Sequence, residues 1–289
     1  MTPLALALVV ASAGAHATWN YLAKSSQDKQ AFTWCFTALA SVIYLPLVIF
    51  SLSRGDVPTL GWLFVVGTML LHVGYFTLLG AAYSREDLAV VYPVARGVGV
   101  ALVAIVASVA LAERISPAGA VSIAAIIVGV LLAYTRGSGW SAIVGLVRSF
   151  RSPGSQLALL TGVVIAAYSV WDKQGVMLVS PTSYIYFVFL GPALAGAPFA
   201  LRRPQALRRE IRDGKAGILG AAILSPLAYL LVLSALSFSH VSYVAAAREI
   251  GIVFGAVLGT VLLGEPHGRN RLLGSVAIVA GVIGLTVAA

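Results

Sequence analysis

Long runs of apolar residues, separated by short polar or Gly- and Pro-rich segments, dominate the chain. A helix needs about 20 mostly apolar residues to cross the hydrocarbon core of a bilayer, and the runs reach that length. They predict ten membrane-spanning helices, over residues 3–22, 31–51, 59–83, 88–111, 117–135, 157–177, 182–201, 215–237, 240–262 and 270–288. The linkers between them leave no room for a soluble domain, so the pattern predicts an all-α membrane protein.

The composition supports the same class. Of the 289 residues, 60% are hydrophobic and 10% are charged, and the mean hydropathy is +0.96. Soluble domains carry about a quarter charged residues, and a soluble chain would have to cover far more of its surface with polar groups. Cys35 is the single cysteine, which excludes a disulfide within the chain, and the spacing of the four histidines gives no metal site. We expect neither a metal nor another cofactor.

The net charge of +9 is explained by topology rather than by a nucleic-acid partner. With ten spans, the loops on one side carry 3 Lys and Arg residues and those on the other carry 14, while the remaining 2 of the 19 lie within spans. Loops rich in Lys and Arg stay in the cytoplasm. We therefore expect a multi-pass protein of a bacterial-type inner membrane, with both termini in the periplasm. Its expected partners are lipid and a small-molecule substrate, and we expect a monomer rather than an obligate oligomer.

The two halves of the chain resemble each other. At an offset of 152 residues, several pairs coincide: Trp19 with Trp171, Asn20 with Asp172, Arg96 with Arg248, and Glu113 with Glu265. Tyr75 aligns with Tyr229 only when the offset is nearer 154. The match is weak at any one position, but it recurs along the whole chain and indicates an internal repeat.

Each repeat contains five predicted spans. Because five is odd, the second repeat must enter the membrane in the opposite sense, which gives an inverted-topology repeat. We predict a first repeat over residues 1–136, a cytoplasmic linker over 137–156 and a second repeat over 157–289. Two such halves can rock against each other, so the pattern indicates alternating access to a site near the membrane midplane.

Two short motifs resemble a known family. The first span contains His16-Ala17-Thr18-Trp19-Asn20, and a small residue followed by Glu closes the fourth span of each half, as Ala112-Glu113 and Gly264-Glu265. With the five-plus-five arrangement, these motifs resemble the drug/metabolite transporter superfamily in its EamA-type branch. Ala112 departs from the pattern, since glycine is usual at that position.

The resemblance implies a basket of ten helices around a central cavity, lined by the first, third and fourth helices of each half. It also implies secondary transport, which needs no nucleotide-hydrolysis motif. Members of the family resemble exporters of amino acids and related metabolites, including aromatic-amino-acid exporters of the YddG type. The choice of amino acids over other substrates rests on this analogy.

Arg96 and Arg248 are the sharpest candidates for a substrate site. Each lies about eight residues, or roughly 12 Å, from one end of its span, which is near mid-membrane. A charge there costs at least about 2.5–3.5 kcal/mol, so each guanidinium must face protein or a wet cavity. It can bind a substrate carboxylate in a bidentate manner, or it can form a structural pair, for example Arg248 with Glu249. Glu249 has no acidic counterpart in the first half and is a candidate for proton coupling.

Histidine and aromatic residues on the same spans are further candidates. An aromatic wall suits planar or apolar substrates, and histidine titrates near neutral pH, although ordinary packing between helices explains both residue types as well. The candidates are His16, Trp19, His72, Tyr75, Tyr92, Tyr168, Trp171, Tyr229 and Tyr243. We interpret Asp172, near the end of its span, as an interfacial anchor that pairs with Lys173 or with a loop.

The favoured function is therefore a secondary transporter that exports amino acids, aromatic or otherwise amphipathic, or related small metabolites. The alternatives are a multidrug or other metabolite exporter of the same superfamily and, less favoured, an intramembrane enzyme. An enzyme would need an acid, a base or a nucleophile clustered at one depth, which the sequence does not offer. A receptor or scaffold would not need an inverted repeat.

Overall fold

Helices form all the regular structure in the residues that the computed structural model describes, which are 1–24, 26–55, 57–86, 88–134, 152–263 and 269–288. The helices of the first half are α1 (Pro3–Lys24), α2 (Lys29–Ile43), α3 (Leu45–Leu52), α4 (Thr59–Tyr83), α5 (Leu88–Ala110) and α6 (Pro117–Tyr134). Those of the second half are α7 (Pro153–Gly175), α8 (Pro181–Leu201), α9 (Pro204–Asp213), α10 (Lys215–Leu236), α11 (Val241–Ala247), α12 (Ile250–Leu263) and α13 (Arg269–Val287). The prediction of an all-α protein is confirmed.

Local sequence signals set where these helices begin. Proline lacks a backbone N–H and has a helical φ, so it suits the first helical position, which it occupies in α6, α7, α8 and α9. Ser152 and Ser180 precede two of these prolines, and each hydroxyl accepts a hydrogen bond from a backbone N–H three residues later. Asp28 caps α2 in the same way, accepting from the N–H groups of Gln30 and Ala31.

Among the described residues, five helices are long and apolar enough to cross a membrane by themselves: α4, α7, α8, α10 and α13. The predicted span 31–51 is a bent pair, since α2 and α3 meet at 42° next to Tyr44, and it counts as a sixth candidate. The predicted span 240–262 is also divided, into α11 and α12. Large apolar side chains such as Leu70, Val109 and Val121 remain exposed on the outside, as expected of surfaces that face lipid. The structure is compatible with ten spans.

One helix was not predicted. Helix α9 lies within the linker that follows α8 and carries Arg208, Arg209 and Arg212, while its Leu207 is buried. Glu210 of this helix accepts a hydrogen bond of 2.5 Å from the backbone N–H of Asp28. The predicted linker 137–156 lies mostly outside the described residues, and α7 begins within it at Pro153.

The contacts between the halves come in matched pairs. Helix α1 packs against α10, and its repeat counterpart α7 packs against α4. In the same way, α2 packs against α10 while α8 packs against α4. Helices α6 and α13, the last of each half, pack against each other so closely that a Cβ added at Gly129 would lie 2.8 Å from the carbonyl oxygen of Gly274.

Candidate functional site

Polar side chains from six segments converge in the interior of the molecule. They come from α1, α4 and α5 of the first half and from α7, α10 and the α11–α12 junction of the second half. These correspond to the first, third and fourth predicted spans of each half. Most of the surrounding buried residues are apolar, so this region holds a concentration of charge and hydrogen-bonding groups that packing alone does not require.

The two candidate arginines have different partners. Arg96 forms a buried ion pair with Glu249, with Nη2 2.6 Å from Oε1 and Nε 3.2 Å from Oε2. This two-point contact joins α5 of the first half to the α11–α12 junction of the second half. The alternative pairing considered from the sequence, Arg248 with Glu249, is not observed. Burying both charges is costly, but the close geometry offsets much of that cost.

The backbone is interrupted where Arg248 and Glu249 lie. Helix α11 ends at Ala247 and α12 begins at Ile250, and the junction is held by tighter turns, with Glu249 N–H donating to the Ala246 carbonyl at 3.1 Å. Helix α5, by contrast, passes through Arg96 without a break. A discontinuous helix in the middle of a membrane protein typically lines a binding site, because its free backbone groups need polar partners.

Arg248 is the arginine that remains available. Its guanidinium carbon lies 5.2 Å from the centre of the Tyr229 ring, a cation–π contact. Within the described part of the chain, no carboxylate or carbonyl oxygen lies within hydrogen-bond distance of this guanidinium. The residue is partly exposed rather than buried. Arg248 can therefore bind an anionic group that enters the site.

An aromatic cluster surrounds this position. The ring of His72 lies 4.6 Å from that of Tyr168, 5.4 Å from that of Tyr229 and 6.5 Å from that of Tyr75, measured between ring centres. Nδ1 of His72 is 3.0 Å from the carbonyl oxygen of Thr68. Nδ1 is also 3.1 Å from the hydroxyl oxygen of Thr68, so it donates to the carbonyl in one tautomer and accepts from the hydroxyl in the other. The cluster thus offers ring faces and polar edges together.

His16, Trp19 and Tyr92 lie at the edge of this region. The indole Nε1 of Trp19 donates to Nδ1 of His16 at 3.2 Å, so the remaining ring proton of the neutral imidazole lies on Nε2. His16 is within electrostatic range of both Arg96 and Arg248. The ring of Tyr92 lies 6.0 Å from the guanidinium carbon of Arg96.

Two of the candidates lie elsewhere. Trp171 donates from Nε1 to the carbonyl oxygen of Phe64 at 2.9 Å, and its ring fills the space next to Gly67, so it packs α7 against α4. Tyr243 lies beside the start of α6, where its hydroxyl is 3.4 Å from the backbone nitrogen of Ser116. The structure does not bring either side chain into the aromatic cluster.

Asp172 is not an interfacial anchor. Its side chain is fully buried, and its carboxylate accepts hydrogen bonds from the hydroxyls of Tyr229 at 2.6 Å and Tyr184 at 3.0 Å. Lys173 instead donates to the carbonyl oxygen of Leu236 at 2.6 Å. The interpretation failed because helices α4, α8 and α10 pack over the last turn of α7. Tyr184 was missed for the same reason, since no pattern in the sequence links it to Asp172.

The Ala112-Glu113 pair has a structural role. The buried carboxylate of Glu113 accepts hydrogen bonds from the backbone N–H groups of Val241, at 2.6 Å, and Ser242, at 3.2 Å. It thereby caps the start of α11 in the other half. Ala112 has a φ of 51°, in the left-handed region that favours glycine, which explains why glycine suits this position. The counterpart Gly264-Glu265 lies outside the described residues.

Comparison with known proteins agrees with this architecture. Residues 152–287 match the EamA-like transporter family. The crystal structure of another protein superposes on the chain with a TM-score of 0.76 and 15% sequence identity, covering 99% of this chain and 98% of that one, which shows a shared fold. No curated protein sequence matches the chain. The second half of the chain is therefore an EamA-like transporter domain, which confirms the resemblance to the EamA-type branch of the drug/metabolite transporter superfamily.

Proposed function

We propose that the chain is a secondary transporter that exports small carboxylate-bearing metabolites, above all amino acids, by alternating access. The family match supports a transporter rather than an enzyme. The export direction and the choice of amino acids follow the resemblance to amino-acid exporters, whereas the carboxylate and the apolar side chain of the substrate are inferred from the site.

The availability of Arg248 carries the proposal. Its repeat counterpart Arg96 is neutralised by Glu249, so the interior holds one guanidinium that is paired and one that lacks an anionic partner among the described residues. A guanidinium away from bulk water gains most from a carboxylate, which it can bind through two parallel hydrogen bonds. A substrate carboxylate would supply the missing negative charge.

The aromatic cluster favours an apolar side chain on that substrate. His72, Tyr75, Tyr168 and Tyr229 present ring faces and edges that can contact an aromatic or branched apolar group. Because Tyr229 also contacts Arg248, a carboxylate bound to Arg248 would place the rest of a small amino acid against these rings. This arrangement supports an aromatic amino acid, as in exporters of the YddG type.

The matched contacts between the halves support alternating access. The site lies between the two halves, and the ion pair of Arg96 with Glu249 joins the first half to the second within it. If the halves are related by an axis in the membrane plane, exchanging the matched contacts would convert an inward-facing arrangement into an outward-facing one.

Counterflow in proteoliposomes tests the proposal. Vesicles containing the purified protein are loaded with unlabelled amino acids, and uptake of each radiolabelled amino acid is followed at equal pH on both sides. We expect saturable uptake of phenylalanine and other amino acids with apolar side chains. Absence of uptake for every amino acid, with the protein shown to be folded, would refute the substrate class and favour the alternative of a drug or another metabolite.

A further inference from the structure

Asp172 is a buried carboxylate without a cationic partner among the described residues. It lies one turn before the end of α7, is fully buried, and is hydrogen-bonded to the hydroxyls of Tyr229 and Tyr184. Ionisable groups inside a membrane protein are expensive, and those that persist commonly mark ion pathways or proton relays. Glu249, in contrast, has its charge balanced by Arg96.

None of the described groups that face Asp172 forms an ion pair with its carboxylate. His72 of α4 interacts with it electrostatically, and the hydroxyls of Thr68, Tyr184 and Tyr229 face it from α4, α8 and α10. Of the two arginines of the site, Arg96 is bound to Glu249, and the guanidinium of Arg248 lies on the ring of Tyr229. On α7 itself, the Nζ atom of Lys173 is bound to backbone carbonyls.

Burial and hydrogen bonding act on this carboxyl in opposite directions. Removal from water disfavours the charged form, while two O–H donors stabilise it. A proton on Asp172 would turn one acceptor oxygen into a donor. The Tyr184 hydroxyl, which also lies 3.2 Å from the carbonyl oxygen of Phe64, can then donate to that carbonyl and accept from Asp172. The network can therefore exist in two arrangements that differ by one proton.

Tyr229 joins this network to the substrate site. Its hydroxyl donates to Asp172 at 2.6 Å, while its ring lies 5.2 Å from the guanidinium carbon of Arg248. One side chain therefore contacts both the carboxylate of Asp172 and the guanidinium of Arg248, and it is the contact through which protonation of one would affect occupancy of the other.

The repeat counterpart of this acid is neutral. The counterpart of Asp172 in the first half is Asn20, a neutral amide that is exposed and donates to the carbonyl oxygen of His16 at 2.8 Å. The negative charge is therefore a feature of the second half alone, at the position that contacts the substrate site.

We propose that Asp172 binds the coupling proton of transport. The carboxylate takes up one proton from the medium on one side of the membrane and releases it to the other, while the substrate bound at Arg248 moves in the opposite direction. This inference rests on the proposed transport function. It gives Asp172 the role for which the sequence suggested Glu249.

The test uses the full-length protein in proteoliposomes with radiolabelled phenylalanine, an imposed pH gradient and a pH-sensitive dye inside the vesicles. In the wild-type protein, the gradient should drive phenylalanine accumulation against its concentration, with proton movement in the opposite direction. In Asp172→Asn, which installs the amide found at Asn20, gradient-driven accumulation should fall at least tenfold, and counterflow should lose its pH dependence. Asp213→Asn, the same change at an exposed acid paired with Arg212, should behave as wild type.

The outcomes separate the two proposals. Counterflow in the wild type, together with equal gradient-driven accumulation in Asp172→Asn, would overturn the proton site and leave the transport function standing. Should Asp172→Asn fail to fold, Tyr229→Phe removes only the donor and should shift the pH at which counterflow is half-maximal; an unshifted profile would overturn the proposal. If the wild type shows no phenylalanine counterflow, the proposed substrate fails. In that case, infrared difference spectra between acidic and basic pH test the site alone, and a carboxyl C=O band that is undiminished in Asp172→Asn would overturn it.

Discussion

Arg96 and Glu249 form a buried ion pair in which Nη2 lies 2.6 Å from Oε1. Arg248 occupies the equivalent position of the second repeat, yet it does not form such a pair among the described residues. The difference arises because Glu249 has a glycine, Gly97, as its counterpart in the first half. A single acid therefore neutralises one arginine and leaves the other without an anionic partner among the described residues. The proposed function assigns the substrate carboxylate to this second arginine, Arg248.

Removing one member of the pair should destabilise the protein. Arg96→Leu or Glu249→Leu leaves the other charge buried without its partner, and we expect a loss of about 3–5 kcal/mol in the free energy of unfolding. The double variant Arg96→Leu with Glu249→Leu should recover most of that loss, because no uncompensated charge remains. Unfolding by titration with SDS measures all three. If the loss in the double variant equals the sum of the two single losses, the two side chains do not stabilise each other.

The capping contact of Glu113 should stabilise the junction between the halves. Glu113→Ala leaves the buried N–H groups of Val241 and Ser242 without their acceptor, and we expect a loss of about 1.5–3 kcal/mol, the size of a hydrogen bond to a charged group. Glu113→Gln keeps one acceptor and should lose less. The same unfolding titration measures both, and equal stability of Glu113→Ala and wild type would contradict the capping role.

Ala112→Gly should stabilise the protein. An L-residue in the left-handed region costs about 1–2 kcal/mol, and glycine relieves that cost at the expense of greater freedom in the unfolded chain, so we expect a net gain of about 0.5–1 kcal/mol. The control is Ala124→Gly, an exposed position within α6, where the same change should cost about 0.5–1 kcal/mol. Opposite signs for the two variants are the expected result. A loss at both positions would mean that Ala112 is not strained.

Both termini should lie in the periplasm. This follows from the distribution of Lys and Arg, with 14 of the 19 in loops on one predicted side. Epitope tags placed at each terminus should be accessible to antibody in intact spheroplasts. As the control, a tag inserted after Arg209 in α9, on the basic side, should become accessible only after lysis. A protected C-terminus would contradict either the orientation or the number of spans.

The class and the overall plan were predictable from the sequence because they depend on long, repeated patterns. Apolar runs of span length and a repeat that recurs at one offset are insensitive to local detail. The breaks were not predicted, although each has a signal in the sequence: α2 and α3 bend next to Tyr44, two residues before Pro46, and α11 ends before the charged residues Arg248 and Glu249. Hydropathy records whether a segment prefers lipid, whereas a break depends on which backbone groups find partners across the bundle.

The sequence predicted which residues form the site better than it predicted the contacts between them. Arg248, His72 and Tyr229 stood out because polar groups are rare in apolar spans. The contacts of Asp172 with Tyr184 and Tyr229 could not be foreseen, because they join residues 12 and 57 positions apart along the chain. Trp171 and Tyr243 were candidates that the structure places outside the aromatic cluster, because an aromatic residue on a cavity-lining helix can face a neighbouring helix instead.

The central claim is that Arg248 binds the carboxylate of the substrate, and inhibition of phenylalanine counterflow by its analogues tests it most directly. Phenylpropionate keeps the carboxylate and lacks the amine, whereas phenethylamine keeps the amine and lacks the carboxylate. The control variant is Arg54→Ala, which removes an exposed arginine that also lies over an aromatic ring, that of Phe50.

We predict that phenylpropionate inhibits counterflow in the wild type and in Arg54→Ala while phenethylamine does not. Arg248→Ala should lose at least tenfold in apparent affinity for phenylalanine, with Arg248→Lys intermediate. Inhibition by phenethylamine alone, or unchanged affinity in a folded Arg248→Ala, would contradict the account.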